Sequence, residues 1–138
     1  MYKNIVVGYD GSDRAMRAVE QAADLATALG SQLHLVTAVS KDRIHEFGES
    51  SDKRKMSDVD IAGERLTSVA SNYNHLDIRS TARQGAPADV LLEEAVEVDA
   101  DLILVGNRRV QGIGRVLGSI AEDVAHKAPC DVVIAKTS

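Results

Sequence analysis

Five short hydrophobic runs recur along the chain, and each is separated from the next by a segment with helical spacing of its apolar residues. The runs lie at residues 4–9, 32–39, 76–82, 101–106 and 131–136. Several are continuously apolar, which is typical of strands that are covered on both faces in a parallel sheet. Apolar residues recur every three or four positions in the intervening segments, which lie at 12–29, 58–73, from 87 onwards and at 119–127. The alternation predicts one doubly wound α/β domain spanning residues 1–138, with an open five-stranded parallel sheet and helices on both faces.

Polar residues at the ends of these segments predict where the helices begin and end. Ser12 or Asp13 is a suitable N-cap for the first helix, and Gly30 is a suitable residue for its end. Pro87 fits the first turn of the third helix. Ser119 and Glu122 have the spacing of a capping box, so we expect Ser119 to cap the fourth helix.

Two stretches of the chain are rich in charged side chains. Residues 41–55 contain nine charged side chains, and we expect a mobile surface loop there, with a lid or a partner-binding segment as the alternative. Glu93, Glu94 and Glu97 fall on the third predicted helix, where we expect them to form a solvated face.

Charge and composition exclude several classes of function. The 138 residues include 16 Lys and Arg and 21 Asp and Glu, which gives a net charge of −5. This balance does not favour binding to nucleic acid or to an anionic membrane surface. Aromatic residues make up 3% of the chain, too few for a surface that stacks single-stranded bases.

The cellular compartment is predicted from cysteine usage and from the N-terminal residues. Cys130 is the single cysteine, so the chain cannot form an internal disulfide, as is typical of a reducing compartment. No basic stretch followed by an apolar one opens the sequence, and no apolar run approaches the ~20 residues that span a bilayer. We therefore expect a cytoplasmic protein without a membrane span.

The chemistry-bearing residues follow two of the predicted strands. The first run leads into Gly8-Tyr9-Asp10-Gly11-Ser12, and the fourth leads into residues 106–119, which include four glycines and three arginines. Glycines let a backbone approach a ligand closely, helix N-termini attract anions, and arginines bind phosphate in a bidentate manner. The pattern therefore indicates phosphate binding, although the spacing of neither the P-loop nor the dinucleotide fingerprint is present. The four histidines have no metal-ligand spacing, so we predict no metal site.

The whole chain resembles the universal stress protein family. The resemblance rests on residues 5–12, on Gly85-Ala86-Pro87-Ala88, on residues 100–106, on Leu117-Gly118-Ser119-Ile120-Ala121 and on residues 128–133. ATP-binding members of that family carry Gly-x2-Gly-x9-Gly-Ser/Thr. Here Gly106 and Gly118-Ser119 fill the outer positions, Arg109 replaces the second glycine, and the spacer 110–117 is one residue short.

The resemblance implies an ATP-binding protein of the stress response, with AMP or ADP as other adenine nucleotides and with Mg²⁺ entering only with the nucleotide. Asp10 and Gly8 would lie at the nucleoside end, and Ala38 would offer backbone groups to the adenine edge. The phosphates would be surrounded by Gly106, Arg108, Arg109, Gly118, Ser119 and Ile120. From the residues alone, Asp10 has an alternative role in an Asx-turn before the first helix.

Two other functions stay open at this point. The modified loop is compatible with an interaction module of the same fold that binds no ATP, and a slow ATP hydrolase is the further alternative. No catalytic residue is predicted, because no general base can be assigned to a phosphate. The resemblance also implies a homodimer formed through the last strand, residues 131–136, whose apolar edge would need covering.

Overall fold

The chain folds into seven strands and four helices in the described part of the molecule. The computed structural model describes residues 2–49, 53–107 and 117–137. In chain order the elements are β1 (Asn4–Gly8), α1 (Asp13–Leu29), β2 (Gln32–Val39), β3 (Ile44–Phe47), β4 (Arg54–Ser57), α2 (Asp58–Ala70), β5 (Ile78–Gln84), α3 (Pro87–Glu97), β6 (Leu102–Asn107), α4 (Ser119–Lys127) and β7 (Asp131–Lys136). Five of the strands form one parallel sheet in the order β5-β2-β1-β6-β7. The predicted open five-stranded parallel sheet is thereby confirmed.

Two hydrophobic layers cover the sheet. Ile5 and Val7 of β1 belong to the layer under α1 and α2, whereas Val6 belongs to the layer under α3 and α4. All three side chains are fully buried. Successive residues of a strand point to opposite faces, so an uninterrupted apolar run is what a strand buried on both faces requires.

The strand order reverses its direction at β1. From this central strand the chain moves outward through β2 to β5, and then returns to the other side of β1 to form β6 and β7. Loops that leave neighbouring strands at such a switch point run in opposite directions and open a crevice at the carboxyl ends of the strands. The crevice here lies between the ends of β1, β2 and β6.

The segment predicted as a mobile loop contains an antiparallel hairpin, so that prediction was wrong in its described part. β3 pairs with β4 from Ile44 opposite Ser57 to Phe47 opposite Arg54. The hairpin is fixed at its base by Asp58, whose carboxylate accepts hydrogen bonds from the Arg43 backbone N–H at 3.0 Å and from His45 Nε2 at 2.7 Å. The two strands are largely exposed. Strands are predicted from alternating apolar and polar residues, and a strand without a buried face does not show this alternation.

The helix ends agree with the sequence at α1 and differ at α4. Ser12 caps α1 by accepting from the Ala15 N–H at 3.1 Å, and Gly30 ends it in the left-handed conformation, with φ of 66°. The N-cap of α4 is Gly118, with no side-chain cap, and Ser119 is the first helical residue. The predicted capping role of Ser119 was therefore wrong. A complete capping box occurs instead at α2, between Ser57 and Asp60.

The predicted solvated face of α3 is only partly correct. The side chains of Glu93 and Glu97 are each 61% exposed, but Glu94 is buried and is only 4% exposed. Glu94 lies on the sheet-facing stripe of the helix, where Arg83 of β5 reaches it. The spacing of the glutamates along α3 could not predict that one of them pairs with a residue on a strand.

Among the helices that the structure describes, none combines the length and the apolar character needed to cross a membrane.

Candidate functional site

A cleft opens at the carboxyl ends of β1, β2 and β6 and is walled by the first turns of α3 and α4. It encloses about 590 Å³ of empty space, part of which is open to solvent. Its lining is formed by Gly8, Tyr9, Asp10, Ala15, Val36, Ala38, Pro87, Val90, Leu91, Val105, Gly106 and Ile120. A largely apolar crevice with a few polar groups at a topological switch point is a favourable place for a small ligand.

The apolar wall comes from α3 and is set closely against β1. Val90 is 1% exposed and Leu91 is 5% exposed. A Cβ atom placed on Gly8 would lie 3.2 Å from Leu91 Cδ2, a tight contact. Glycine at the end of β1 therefore keeps the floor of the cleft open while the helix packs close by.

On the side that faces the cleft, the backbone of Ala38 has no hydrogen-bond partner among the described residues. In a parallel ladder, alternate residues of a strand direct their N–H and C=O groups to opposite neighbours. The Val36 carbonyl accepts from the Tyr9 N–H at 2.8 Å, so Val36 faces β1, and the Val39 carbonyl accepts from Gly85 beyond β5. Ala38, two residues after Val36, faces β1 as well, but β1 ends at Gly8. Its donor and acceptor thus point into the crevice.

Asp10 has the one carboxylate among the described residues that line the cleft. Its Oδ1 accepts the Ser12 N–H at 2.9 Å, which is the Asx-turn that the sequence offered as an alternative role. Burial acts to raise the pKa of this carboxyl, but the hydrogen bonds from Ser12 and the charge of Arg14 outweigh it and lower the pKa below its usual range. The group is therefore a negatively charged hydrogen-bond acceptor at neutral pH, suited to hydroxyl or amine donors and unfavourable for phosphate.

The other end of the cleft is the N-terminus of α4, which is suited to anions. Gly118 has no side chain with which to cap the helix, so the N–H groups of the first turn are left for other acceptors. Asn107 Oδ1 accepts the Gly118 N–H at 2.9 Å and ties the end of β6 to the start of α4. Ser119 and Ile120 are exposed there. Free N–H groups together with the helix dipole make this turn a potential anion site.

The structure brings most of the predicted site residues together. Gly8, Asp10, Ala38, Gly106 and Ile120 line the cleft. Gly118 and Ser119 directly precede Ile120 at the start of α4 but are not part of the lining itself. Arg108 and Arg109 lie outside the described residues, so their predicted phosphate contacts stay predictions.

The apolar lining was missed at the sequence level. Val36, Val90, Leu91 and Val105 have the spacing of core residues and were indistinguishable from them. Pro87 alone could have been predicted as a lining residue. It occupies the first position of α3, and a helix that follows a parallel strand begins at the carboxyl edge of the sheet. The described residues contain no cluster of three potential metal ligands.

Comparisons with known proteins give a consistent picture. The family model described as "Universal stress protein family" matches residues 1–136. A universal stress protein of Mycobacterium tuberculosis is 36% identical over an alignment of 146 positions, gaps included, that covers 99% of this chain and 98% of the relative. A universal stress protein of Thermus aquaticus is 34% identical, with coverage of 99% and 100%.

Solved structures show the same likeness in three dimensions. A universal stress protein in complex with cAMP is 36% identical, has a TM-score of 0.72, and is matched over 99% of this chain and 98% of its own length. A universal stress protein of Archaeoglobus fulgidus in complex with dAMP is 28% identical, with a TM-score of 0.67 and coverage of 98% of both chains. Because the family model and these relatives span nearly the whole sequence, the chain belongs to the universal stress protein family.

Proposed function

We propose that the cleft binds an adenine nucleotide, with ATP as the ligand to test first. The observation that carries the proposal is that the two ends of the cleft differ in the charge that they attract. The backbone of Ala38 and the carboxylate of Asp10 offer hydrogen bonds at one end, and the uncapped N-terminus of α4 attracts an anion at the other. Two related structures are described as complexes with cAMP and with dAMP, which supports the same class of ligand here.

The two ends define an orientation for the nucleotide. The anionic Asp10 repels phosphate and suits the ribose hydroxyls or the adenine amine, whereas the first turn of α4 suits the phosphates. The adenine ring would lie between Gly8 and the wall formed by Val90 and Leu91. In this pose Gly106, Gly118, Ser119 and Ile120 surround the phosphates, and Arg108 and Arg109 add positive charge from the adjoining part of the sequence.

Hydrolysis is not part of the proposal. Asp10 is the one carboxylate among the described lining residues, and the proposed pose puts it at the nucleoside end. A general base must lie within hydrogen-bond reach of the attacking water, which this position does not allow. Mg²⁺ would enter only as a companion of the phosphates.

The proposal is tested by calorimetric titration of nucleotide-stripped protein. ATP with Mg²⁺, AMP and cAMP are titrated in parallel, and GTP with Mg²⁺ serves as the control for base selectivity. Micromolar binding that requires adenine is the expected result. No heat and no thermal shift at millimolar concentrations of every adenine nucleotide would refute the proposal and favour the interaction module that binds no nucleotide.

A homodimer through β7 and a cytoplasmic location complete the proposal. β7 is an outer strand of the sheet, and Val132, Val133 and Ile134 on it are only partly buried. An apolar outer strand favours pairing with another chain. Size-exclusion chromatography with light scattering at micromolar protein is expected to give twice the chain mass, and a monomer would contradict this part.

A further inference from the structure

A carboxylate is buried on the apolar stripe of α3. Val90, Leu91, Glu94 and Ala95 lie on the face of the helix that is turned toward the sheet, and all four are at most 5% exposed. Burial of an ionised carboxylate is costly unless the group is paired and hydrogen-bonded. The presence of Glu94 in this row therefore requires an explanation beyond packing.

The partner of Glu94 is Arg83 of β5. Arg83 Nη2 lies 3.3 Å from Glu94 Oε2, and the Thr81 hydroxyl donates to Glu94 Oε1 at 3.3 Å. The same guanidinium also pairs with Glu97 and lies 3.8 Å from Glu93. Glu94 Oε2 itself has no well-formed hydrogen bond within the described part of the chain. A buried ion pair with incomplete hydrogen bonding is weak evidence for stabilisation, so stability alone does not account for it.

The pair connects two parts of the cleft. Leu91 and Val90 precede Glu94 by about one helical turn on the same face, and both line the cleft. Arg83 stands opposite Ala38 in the pairing of β5 with β2, and Ala38 lines the cleft from the sheet. The ion pair therefore fixes α3, which forms the apolar wall of the cleft, in position along β2, which holds Ala38.

We infer that Arg83 and Glu94 are positioning residues of the cleft, which hold the wall of Val90 and Leu91 at the distance that an adenine ring requires. The inference rests on the proposed nucleotide-binding function. Apolar side chains could replace the pair without loss of folding free energy, but they would not fix the helix along its axis, because apolar contacts are not directional.

The test compares the single variant Arg83→Met with the double variant Arg83→Met/Glu94→Met. The single variant leaves an unpaired buried carboxylate, so its urea unfolding midpoint falls. The double variant regains the wild-type midpoint or exceeds it. Its dissociation constant for ATP nevertheless stays about tenfold above that of the wild type, within the usual range for residues that act through an intervening element.

A matched control comes from the same strand. Arg79 lies on the same face of β5 as Arg83, is 69% exposed, and pairs over 3.7 Å with the exposed Asp77. Arg79→Met is expected to leave both the unfolding midpoint and the ATP affinity as in the wild type. If the double variant regains ATP affinity together with stability, the pair is only structural and the inference is overturned.

A second measurement without ligand keeps this inference separate from the proposed function. The Leu91 methyl groups lie next to the end of β1, 3.2 Å and 3.5 Å from the position that a Cβ on Gly8 would occupy, so their NMR chemical shifts report the position of the α3 wall. They are expected to move in the double variant and not in Arg79→Met. If the wild type binds no adenine nucleotide, the proposed function fails, and the methyl shifts still decide the positioning role, which unmoved shifts would refute.

Discussion

Proline in place of Ser119 is expected to remove a phosphate donor without disturbing the fold. Ser119 is the first residue of α4, where the N–H has no helical partner. Proline is favoured at this position, since its fixed φ suits the first turn. Proline also restricts the residue before it to extended conformations, and Gly118 is already extended, with φ of −63° and ψ of 157°. Serine and proline are therefore expected to be interchangeable here for folding.

The loss in binding can be estimated from the group that is removed. A hydrogen bond to a charged acceptor contributes about 1.5–3 kcal/mol, which corresponds to about 10-fold to 150-fold in a dissociation constant. Ser119→Ala is the matched variant, because it lacks the hydroxyl and keeps the N–H. Ser119→Pro is thus expected to bind ATP at least about tenfold more weakly than Ser119→Ala.

Calorimetric titration of both variants with ATP and with adenosine decides the question. Adenosine has no phosphate, so it is expected to bind both variants alike. Equal ATP affinities of the two variants would refute the N-terminus of α4 as the phosphate site. Loss of adenosine binding in Ser119→Pro alone would show that proline disturbs the whole cleft and that the conformational argument is wrong.

Three further predictions concern the nucleoside end, the α2 cap and pH. Gly8→Val brings a branched side chain against Leu91, which lies 3.2 Å from the position of a Cβ, and is expected to abolish ATP and adenosine binding in calorimetry while circular dichroism still shows a folded protein. Ser57→Ala removes the hydroxyl that accepts from the Asp60 N–H at 3.1 Å and is expected to cost about 1 kcal/mol in urea unfolding; an unchanged midpoint would contradict the role of the cap. Burial lowers the pKa of His34 below its usual 6.5, so below pH 6.5 the unfolded chain binds the extra proton and the native state loses stability as the pH falls. His34→Gln is expected to flatten that part of the pH profile of unfolding, and a profile identical to that of the wild type would speak against it.

The sheet itself was predictable because burial on both faces leaves a local signature. Ile5, Val6 and Val7 are continuously apolar since each face of β1 meets a hydrophobic layer. The boundaries of α1 at Ser12 and Gly30 were equally local, because a cap is formed by residues that are neighbours in sequence. Features of this kind are fixed by a few adjacent positions.

The errors occurred where hydrogen bonds between residues 11 to 15 positions apart in the chain determine the structure. The hairpin of β3 and β4 is held by Asp58, which follows it in the chain. Ser119 is not the cap of α4 because Gly118 occupies that position, and the Gly118 N–H donates to Asn107 Oδ1.

The sequence alone determined the alternation of the five sheet strands with the four helices, the doubly wound architecture and the family, since these follow from periodicity and from motifs spread over the whole chain. The tertiary structure decided which apolar residues line the cleft and which only fill the core. Val36 and Val90 have the same pattern as their buried neighbours, yet both line the cleft, which opens where β1 ends at Gly8 while β2 continues to Val39. It also paired Glu94 with Arg83, since only the packing of α3 on β2, beside which β5 lies, brings a buried carboxylate and its counter-charge together.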